Sequence, residues 1–357
     1  MPAYITSIGT ANPPHAIRQA DVLEFMIGAH GLAQSEAHDL RVLYRASGIT
    51  QRYSTIPDYG GSVRTFFPDH QTLEPFPDMA HRSAWYRTHA PTLSHSAATK
   101  CLGTTHPASI THLITVSCTG MYAPGLDIDL VQSLGLQAHV ERTCINFMGC
   151  YAAFNALKMA DHICRANDAR VLIVCAELCT LHFQKEKTDD NLLANALFGD
   201  GAAAVLVESQ ATAKTSLELA TFRCALIPSA GEAMAWNIGP LGFEMRLSAY
   251  VPEALQSGIP PLLAALPQRA FDYYAIHPGG KRILQGVEEQ VGITRETNQA
   301  AHDVLRQHGN MSSPTILFVL KALMDKWRPS DDGKSVLGLA FGPGLTLESV
   351  VGTIHSH

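Results

Sequence analysis

Charged residues are scarce in this chain, and neither sign dominates. Only 16% of the 357 residues are Asp, Glu, Lys or Arg, the formal net charge is −6, and 46% of the residues are hydrophobic. Such a chain can bury a large core, as one big domain or as two fused ones. Without a basic excess there is no global field to attract nucleic acid, so we expect no nucleic-acid partner.

Long apolar runs are also missing. None reaches the roughly 18 residues that a membrane-spanning helix needs. Residues 1–6 lack the basic stretch and apolar run of a signal peptide, and residues 353–357 carry no lipid-modification signal. We therefore expect a cytoplasmic protein without stable membrane anchoring.

Cysteine is too sparse for a disulfide scaffold, with eight in the whole chain. Most of them lie in apolar surroundings, which is typical of small buried side chains. Cys175 and Cys179 are four residues apart, but no second pair of His or Cys accompanies them. The sequence thus predicts no metal site, and it favours a reducing compartment.

Strand-like apolar runs alternate with helical patterns along the chain, which predicts an α/β fold with buried sheets. The predicted strands are residues 110–116, 169–175 and 271–276, and the predicted helices are residues 151–165 and 311–324.

A faint internal repeat divides the chain. Phe198-Gly199-Asp200-Gly201 leads into an apolar run, and Phe341-Gly342-Pro343-Gly344 does the same near the C-terminus. Gly-x-Gly turns are common, so the repeat is weak by itself. We interpret it as two related halves, residues 1–210 and 211–357, with a site between them.

Three reactive side chains, Cys150, His277 and Asn310, each lie close to glycine. A thiol is a good nucleophile only as thiolate, which requires a cation or a helix N-terminus nearby. Histidine can supply that charge, and an amide can donate hydrogen bonds to a developing oxyanion. Cys150 follows a predicted strand and opens a helix, while His277 ends a buried strand, where α/β folds often carry catalytic groups.

Each residue also has an ordinary structural interpretation. Cys150 fits a buried cysteine at a helix start, Asn310 fits the N-cap of a helix beginning at Met311, and most of the 17 histidines must lie on the surface.

Two other functions remain open at this point. A papain-like cysteine hydrolase uses Cys, His and Asn in this chain order. Its cysteine motif and its secreted, disulfide-bearing context are missing here. A non-catalytic acyl-binding protein on an enzyme scaffold is weakened because all three reactive positions are filled.

The combination and order of several motifs resemble the type III polyketide synthases, the chalcone and stilbene synthase family of the thiolase-like fold. The resemblance runs nearly end to end and rests on Ile8-Gly9-Thr10-Ala11-Asn12-Pro13, Gly149-Cys150, residues 196–204, His277-Pro278-Gly279-Gly280, Gly309-Asn310-Met311-Ser312-Ser313 and Phe341-Gly342-Pro343-Gly344-Leu345-Thr346. It implies duplicated α/β halves in five layers, αβαβα, and a homodimer.

The resemblance also implies roles. Cys150 would take an acyl group from an acyl-CoA starter, and His277 would pair with it and keep it as thiolate. His277 and Asn310 would hold the thioester carbonyl of malonyl-CoA during loss of CO₂. Phe198 matches a gatekeeper between the CoA tunnel and the cavity. CoA thioesters are then substrates, and no metal or bound cofactor is implied.

Departures from the plant pattern bear on the substrate. Ala123 stands where plant enzymes usually carry a methionine that reaches the partner's active site, and Thr119 and Cys179 fall at two further cavity positions. These small residues resemble bacterial synthases that place a long fatty acyl chain in a tunnel, and Cys118 resembles a second active-site cysteine of some bacterial members. Trp236 would fill space on the polyketide side. The implied cavity lining also includes Met245 and Ser312.

These features favour a bacterial-type member with a medium or long fatty acyl starter and an alkylpyrone or alkylresorcinol product. A chalcone-, phloroglucinol- or tetrahydroxynaphthalene-type synthase with another starter is the alternative. The usual CoA-binding cation positions hold Asp39, Val42 and Ala46, so the resemblance leaves the neighbouring Arg41 and Arg45 as candidates for the CoA phosphates. Their alternative is a set of solvated helix charges.

Overall fold

The computed structural model describes residues 1–61, 64–70, 72–248, 251–267 and 270–356. Within these ranges the strands are β1 (Ala3–Ala11), β2 (His15–Arg18), β3 (Gln51–Ser54), β4 (His112–Ser117), β5 (Glu141–Asn146), β6 (Arg170–Leu178), β7 (Asp200–Glu208), β8 (Thr215–Leu226), β9 (Met234–Gly239), β10 (Gly242–Leu247), β11 (Tyr273–Ile276), β12 (Ser335–Gly342) and β13 (Thr346–Ser356). The α-helices are α1 (Gln19–His30), α2 (Gln34–Ala46), α3 (Met79–Leu102), α4 (Leu126–Leu134), α5 (Ala152–Ala166), α6 (Asp189–Leu197), α7 (Val251–Ala264), α8 (Lys281–Val291), α9 (Gln299–His308) and α10 (Thr315–Met324).

One mixed sheet organises the fold, with strand order β11-β12-β13-β8-β1-β7-β6-β4-β5. In its first part β4 and β6 are parallel, and β7 and β1 follow antiparallel. The second part repeats this: β11 and β12 are parallel, and β13 and β8 follow antiparallel. Duplication of one structural unit would produce this repeated order of strand pairing.

The helices lie in layers around the sheet. α5 and α10 pack between its two parts, α3 covers the outer face of β1, β6 and β7, and α7 covers β8 and β13. The α/β fold and its layering agree with the prediction. The two parts form one continuous sheet, however, because Ala3–Ile5 of β1 pair with β8. No helix in the described ranges is long and apolar enough to cross a membrane.

The predicted elements are present, with boundaries shifted by a few residues. The largest shift concerns the helix expected at residues 311–324, which begins only at Thr315. Ser312 has φ +58°, and its N–H donates to Asn310 Oδ1 at 2.8 Å, so the chain makes a turn first. Pro314, whose fixed φ suits a helix start, is the N-cap residue. The N-cap interpretation of Asn310 was therefore wrong.

Close contact between β1 and α3 leaves no space for a side chain at Gly9. A Cβ there would lie 2.3 Å from the carbonyl oxygen of Ala97 and 2.3 Å from the amide nitrogen of Cys101. We predict that Gly9→Ala lowers the free energy of unfolding by about 1–3 kcal/mol, because the helix must move away from the sheet. Urea or thermal unfolding measures the change.

Gly28→Ala is the matched control. Gly28 lies in α1 with nothing within 4 Å of its added Cβ, so alanine should stabilise the helix by about 0.5–1 kcal/mol. A Gly9→Ala variant as stable as Gly28→Ala would show that β1 and α3 do not need this close contact.

Candidate active site

The turn between β5 and α5 presents Cys150. Phe147 and Gly149 both have positive φ, +60° and +76°, and residues Gly149–Tyr151 form a 3₁₀ turn that continues into α5. A Cβ on Gly149 would lie 2.3 Å from Cδ of Pro343, so only glycine fits there. Cys150 is therefore held at the positive end of a helix dipole, with 7% of its surface exposed.

His277 directly follows β11 and remains bound to β12, since its backbone N–H donates to the Leu339 carbonyl oxygen at 2.8 Å. The residue is 1% exposed. Neither Nδ1 nor Nε2 of its ring has a hydrogen-bond partner among the described residues. The imidazole is thus fixed by its backbone and by packing, and its nitrogens are available to a substrate.

Backbone hydrogen bonds connect Asn310 to the segment that carries Phe198. Its N–H donates to the Leu197 carbonyl oxygen at 2.9 Å, and the Gly199 N–H donates to the Asn310 carbonyl oxygen at 2.9 Å. Its side-chain oxygen already accepts the Ser312 N–H, whereas Nδ2 makes only a long 3.4 Å bond to a backbone carbonyl. The amide N–H₂ group is therefore the part that can serve as a donor.

These three residues line one cavity. Seven further residues predicted from the sequence line the same cavity: Cys118, Thr119, Cys179, Phe198, Trp236, Met245 and Ser312. The arrangement combines a thiol, an imidazole and an amide donor in a mainly apolar space, which is suited to covalent catalysis with oxyanion stabilisation.

Burial opposes charge on both partners of the expected ion pair. It raises the pKa of Cys150 to about 11, against hydrogen bonds from Ser312 and Asn310 that lower it. It lowers the pKa of His277 to about 3. The expected thiolate therefore depends on attraction between the two groups, because moving the thiol proton to the imidazole creates opposite charges that stabilise each other.

A buried carboxyl group, Glu177, lies beside the cavity and was not singled out from the sequence. It is fully buried and accepts hydrogen bonds from Thr119 Oγ1 at 2.7 Å, from the Cys118 N–H at 3.0 Å and from Ser313 Oγ. Burial raises its pKa. The sequence feature that could have identified Glu177 is its position as a single acidic residue in the apolar run of β6.

Cys118 differs from Cys150 in its surroundings. Its Sγ lies 3.4 Å from Glu177 Oε1 and 3.3 Å from Ser312 Oγ. Burial, and next the charge of Glu177, raise the pKa of Cys118 well above its ordinary value. Both causes disfavour the thiolate form of Cys118.

Trp236 forms a rigid wall of the cavity. Its Nε1–H donates to the Cys118 carbonyl oxygen at 2.7 Å, and its ring packs edge-on against His182 and Phe243. The Phe243 N–H donates to Nδ1 of His182, so Nε2 carries the proton and donates to the Thr119 carbonyl oxygen. Burial lowers the pKa of His182 to about 3, and the ring stays neutral.

A second cavity adjoins the first. The two share Cys179, Phe198, Trp236 and Met245 as walls. The walls that the second cavity does not share with the first include apolar side chains, among them Val22, Met26 and Phe183.

Ala123 does not lie with the other small residues. It is exposed and lines a separate surface cavity with its neighbours in residues 120–128, apart from Thr119 and Cys179. The sequence-based expectation of one channel beside all three residues is therefore not met within a single chain.

A cleft adjoins the reactive cavity, with which it shares Leu247, Gly279 and Ile283. Its cations are Lys187, Lys281 and Arg282, which precede α6 or begin α8, and its anions are Glu36, Asp39 and Asp189. Lys187 pairs with Glu36 at 3.4 Å. The two arginines expected at the CoA phosphates lie elsewhere.

Arg41 and Arg45 do not belong to the lining of this cleft in the described structure. Arg41 pairs with Glu24 at 3.4 Å, and Arg45 is exposed on α2. Lys281 and Arg282 of the cleft could have been identified from the sequence as a basic pair directly after two glycines. Nothing in the sequence singled out Lys187.

Comparison with known proteins agrees with this geometry. Residues 1–211 match the family model of the chalcone and stilbene synthases, N-terminal domain, and residues 218–356 match that of the C-terminal domain. The chain is similar to PKS-I of the brown alga Ectocarpus siliculosus, with a TM-score of 0.90 and 26% identity over 100% of this chain and 98% of that one.

Two further solved structures are similar along their whole length. The C-terminal type III polyketide synthase domain of Steely1 from Dictyostelium has a TM-score of 0.89 and 25% identity, covering 99% of each chain. A type III pentaketide synthase from Neurospora crassa has a TM-score of 0.84 and 27% identity, covering 98% of this chain and 99% of that one. The chain therefore belongs to the chalcone and stilbene synthase family of type III polyketide synthases and is an acyltransferase.

Proposed function

We propose that this synthase condenses malonyl-CoA with a medium or long fatty acyl-CoA starter held on Cys150, as bacterial-type members do, and releases alkylpyrones or alkylresorcinols. The observation that carries the proposal is the meeting of Cys150, His277 and Asn310 at one buried cavity, which shares walls with a cleft that carries both cations and anions. CoA thioesters are the substrates, and no bound cofactor takes part.

In the first step the Cys150 thiol passes its proton to His277 and attacks the acyl-CoA carbonyl. The new bond joins Sγ to the acyl carbon, and the CoA sulfur leaves and takes up the proton. The position of Cys150 at a helix start favours the thiolate, and exclusion of water from the cavity protects the acyl-cysteine from hydrolysis.

In the second step His277 and Asn310 Nδ2 donate hydrogen bonds to the thioester carbonyl of malonyl-CoA. The bond to the carboxylate breaks, CO₂ leaves, and the electron pair remains in an enolate that these donors stabilise. The enolate carbon attacks the acyl carbon on Cys150, which departs as thiolate. The lengthened chain, now on CoA, can return to Cys150.

Two features support the starter and product classes. The adjoining second cavity offers apolar walls for an alkyl chain. The Trp236 side chain occupies space at the reactive cavity, and its hydrogen bond to the Cys118 carbonyl oxygen holds it there. The reduced space favours few extensions and a small ring over multi-ring products.

A homodimer also belongs to the proposal. β5 is the last strand of the sheet, so one of its edges has no partner strand in the described part of the chain, and its residues are largely exposed. Exposed strand edges pair readily with other chains. Met121, which is 49% exposed, and Ala123 line the neighbouring surface cavity, so a second copy at this edge would cover them.

The decisive experiment supplies malonyl-CoA with starters from acetyl-CoA to long acyl-CoAs and identifies products by mass. We predict that kcat/KM rises with chain length, since each buried CH₂ contributes up to ~0.8 kcal/mol. Cys150→Ala should fold normally and make no polyketide, whereas Cys118→Ser should remain active. Near-normal product from Cys150→Ala would refute the nucleophile assignment. A flat or falling chain-length profile would refute only the fatty starter.

The pH dependence of Cys150 alkylation by iodoacetamide tests its coupling to His277. In the wild type the imidazole accepts the proton, so alkylation should proceed near neutral pH. In His277→Ala the apparent pKa of Cys150 should rise towards the value of about 11 that burial imposes. Asn310→Ala is the comparison, which should lose malonyl-CoA decarboxylation. Because its hydrogen bond lowers the pKa of Cys150, alkylation should also shift to higher pH, but by less than in His277→Ala. Identical pH profiles for wild type and His277→Ala would contradict the coupling.

The cleft cations are tested by charge reversal. Lys281→Glu should raise KM for malonyl-CoA about tenfold with little change in kcat, since a phosphate loses an attractive charge and meets a repulsive one. Arg45→Glu makes the same charge change on α2 outside the cleft and should change KM less than twofold. The opposite ranking of the two variants would place the CoA phosphates on α2.

A further inference from the structure

Arg52, on β3, is a buried cation in the wall of the second cavity and is 3% exposed. Its Nη1 donates to the carbonyl oxygens of Asn195 and Phe198 near the end of α6, at 2.8 and 2.5 Å. These contacts hold the segment beside the reactive cavity. They use only one of the three nitrogens of the guanidinium group.

The other two nitrogens, Nε and Nη2, have no hydrogen-bond partner among the described residues. Together they form one edge of the planar group, with two N–H bonds pointing the same way. Such an edge matches two oxygens that share a negative charge. Leaving buried donors of a charged group unpaired is costly, so this edge needs an explanation.

Neighbouring groups do not supply the missing acceptor. Asp200 accepts the N–H groups of Thr55 and Thr180 at 2.9 and 2.8 Å. The Tyr44 hydroxyl donates to the Asn195 carbonyl oxygen at 3.2 Å, and burial raises the pKa of Tyr44 to about 12, so it stays neutral beside Arg52. Among the described residues Arg52 forms no ion pair, so one wall of the second cavity carries a guanidinium edge without an acceptor.

We propose that the second cavity is a subsite for an acyl chain that carries two oxygens sharing one negative charge, which Arg52 binds through its Nε and Nη2 edge. The inference rests on the proposed function and refines its substrate class. Two groups could supply this pair of oxygens: a carboxylate at the far end of the starter, or the enolate of a 1,3-diketone in the growing chain.

The experiment compares octanoyl-CoA with the mono-CoA thioester of octanedioic acid, each with malonyl-CoA. Three variants accompany the wild type. Arg52→Gln removes the charge, Arg45→Gln removes an exposed charge as a matched control, and Ala194→Leu narrows the second cavity while keeping Arg52. The measurements are kcat/KM for each starter, product masses, and melting temperature.

If a starter carboxylate is the ligand, the wild type should prefer the octanedioic thioester by about tenfold or more, and both Arg52→Gln and Ala194→Leu should abolish the preference. If the growing chain is the ligand, the wild type should show no such preference, and both variants should shorten the products from octanoyl-CoA by at least one malonyl unit. Arg45→Gln should match the wild type in either case.

Unchanged starter preference and unchanged product length in both variants would overturn the subsite and leave Arg52 as a clamp for α6. If Arg52→Gln does not fold, Ala194→Leu decides alone. Calorimetric binding of the octanedioic thioester to Cys150→Ala, with and without Ala194→Leu, needs no turnover. A wild type that makes no polyketide from either starter therefore refutes the proposed function, while this binding measurement still decides the subsite.

Discussion

Two backbone hydrogen bonds beside the reactive cavity join the first part of the chain to the last. The Asn310 N–H donates to the Leu197 carbonyl oxygen, and the Gly199 N–H donates to the Asn310 carbonyl oxygen. They align Phe198 and Asn310 in a short parallel bridge. A Cβ on Gly309 would lie 2.7 Å from the Leu197 carbonyl oxygen, so this contact requires glycine. The position of the amide donor relative to Cys150 depends on this contact, because Asn310 and Cys150 lie in different parts of the sheet.

The cavity that results is buried and mainly apolar, and burial shifts the pKa values of its two reactive groups in opposite directions. Burial disfavours both the thiolate and the imidazolium, yet a proton transfer between them produces charges that stabilise each other. Burial also raises the pKa values of Cys118 and Glu177. The two cysteines of this cavity thus differ in their surroundings: Cys150 lies at a helix start, whereas Cys118 is hydrogen-bonded to Glu177.

The sequence could predict the groups whose chemistry is local. Glycine beside Cys150, the strand that ends at His277 and the apolar runs of the sheet are all visible as patterns. Asn310 shows the limit, since its local pattern suggested an N-cap, whereas its partners lie more than a hundred residues away. Ala123 and the two arginines of α2 show the same limit: their positions in space depend on how loops and helices pack, which no spacing along the chain reveals.

The central claim is that Cys150 alone carries the acyl chain. Intact-protein mass spectrometry after incubation with one acyl-CoA, in the absence of malonyl-CoA, measures it directly, and peptide mapping finds the modified residue. The account predicts a mass increase of one acyl group, located on Cys150 and absent from Cys150→Ala. An acyl group on Cys118 or another residue, or stable acylation of Cys150→Ala, would contradict it.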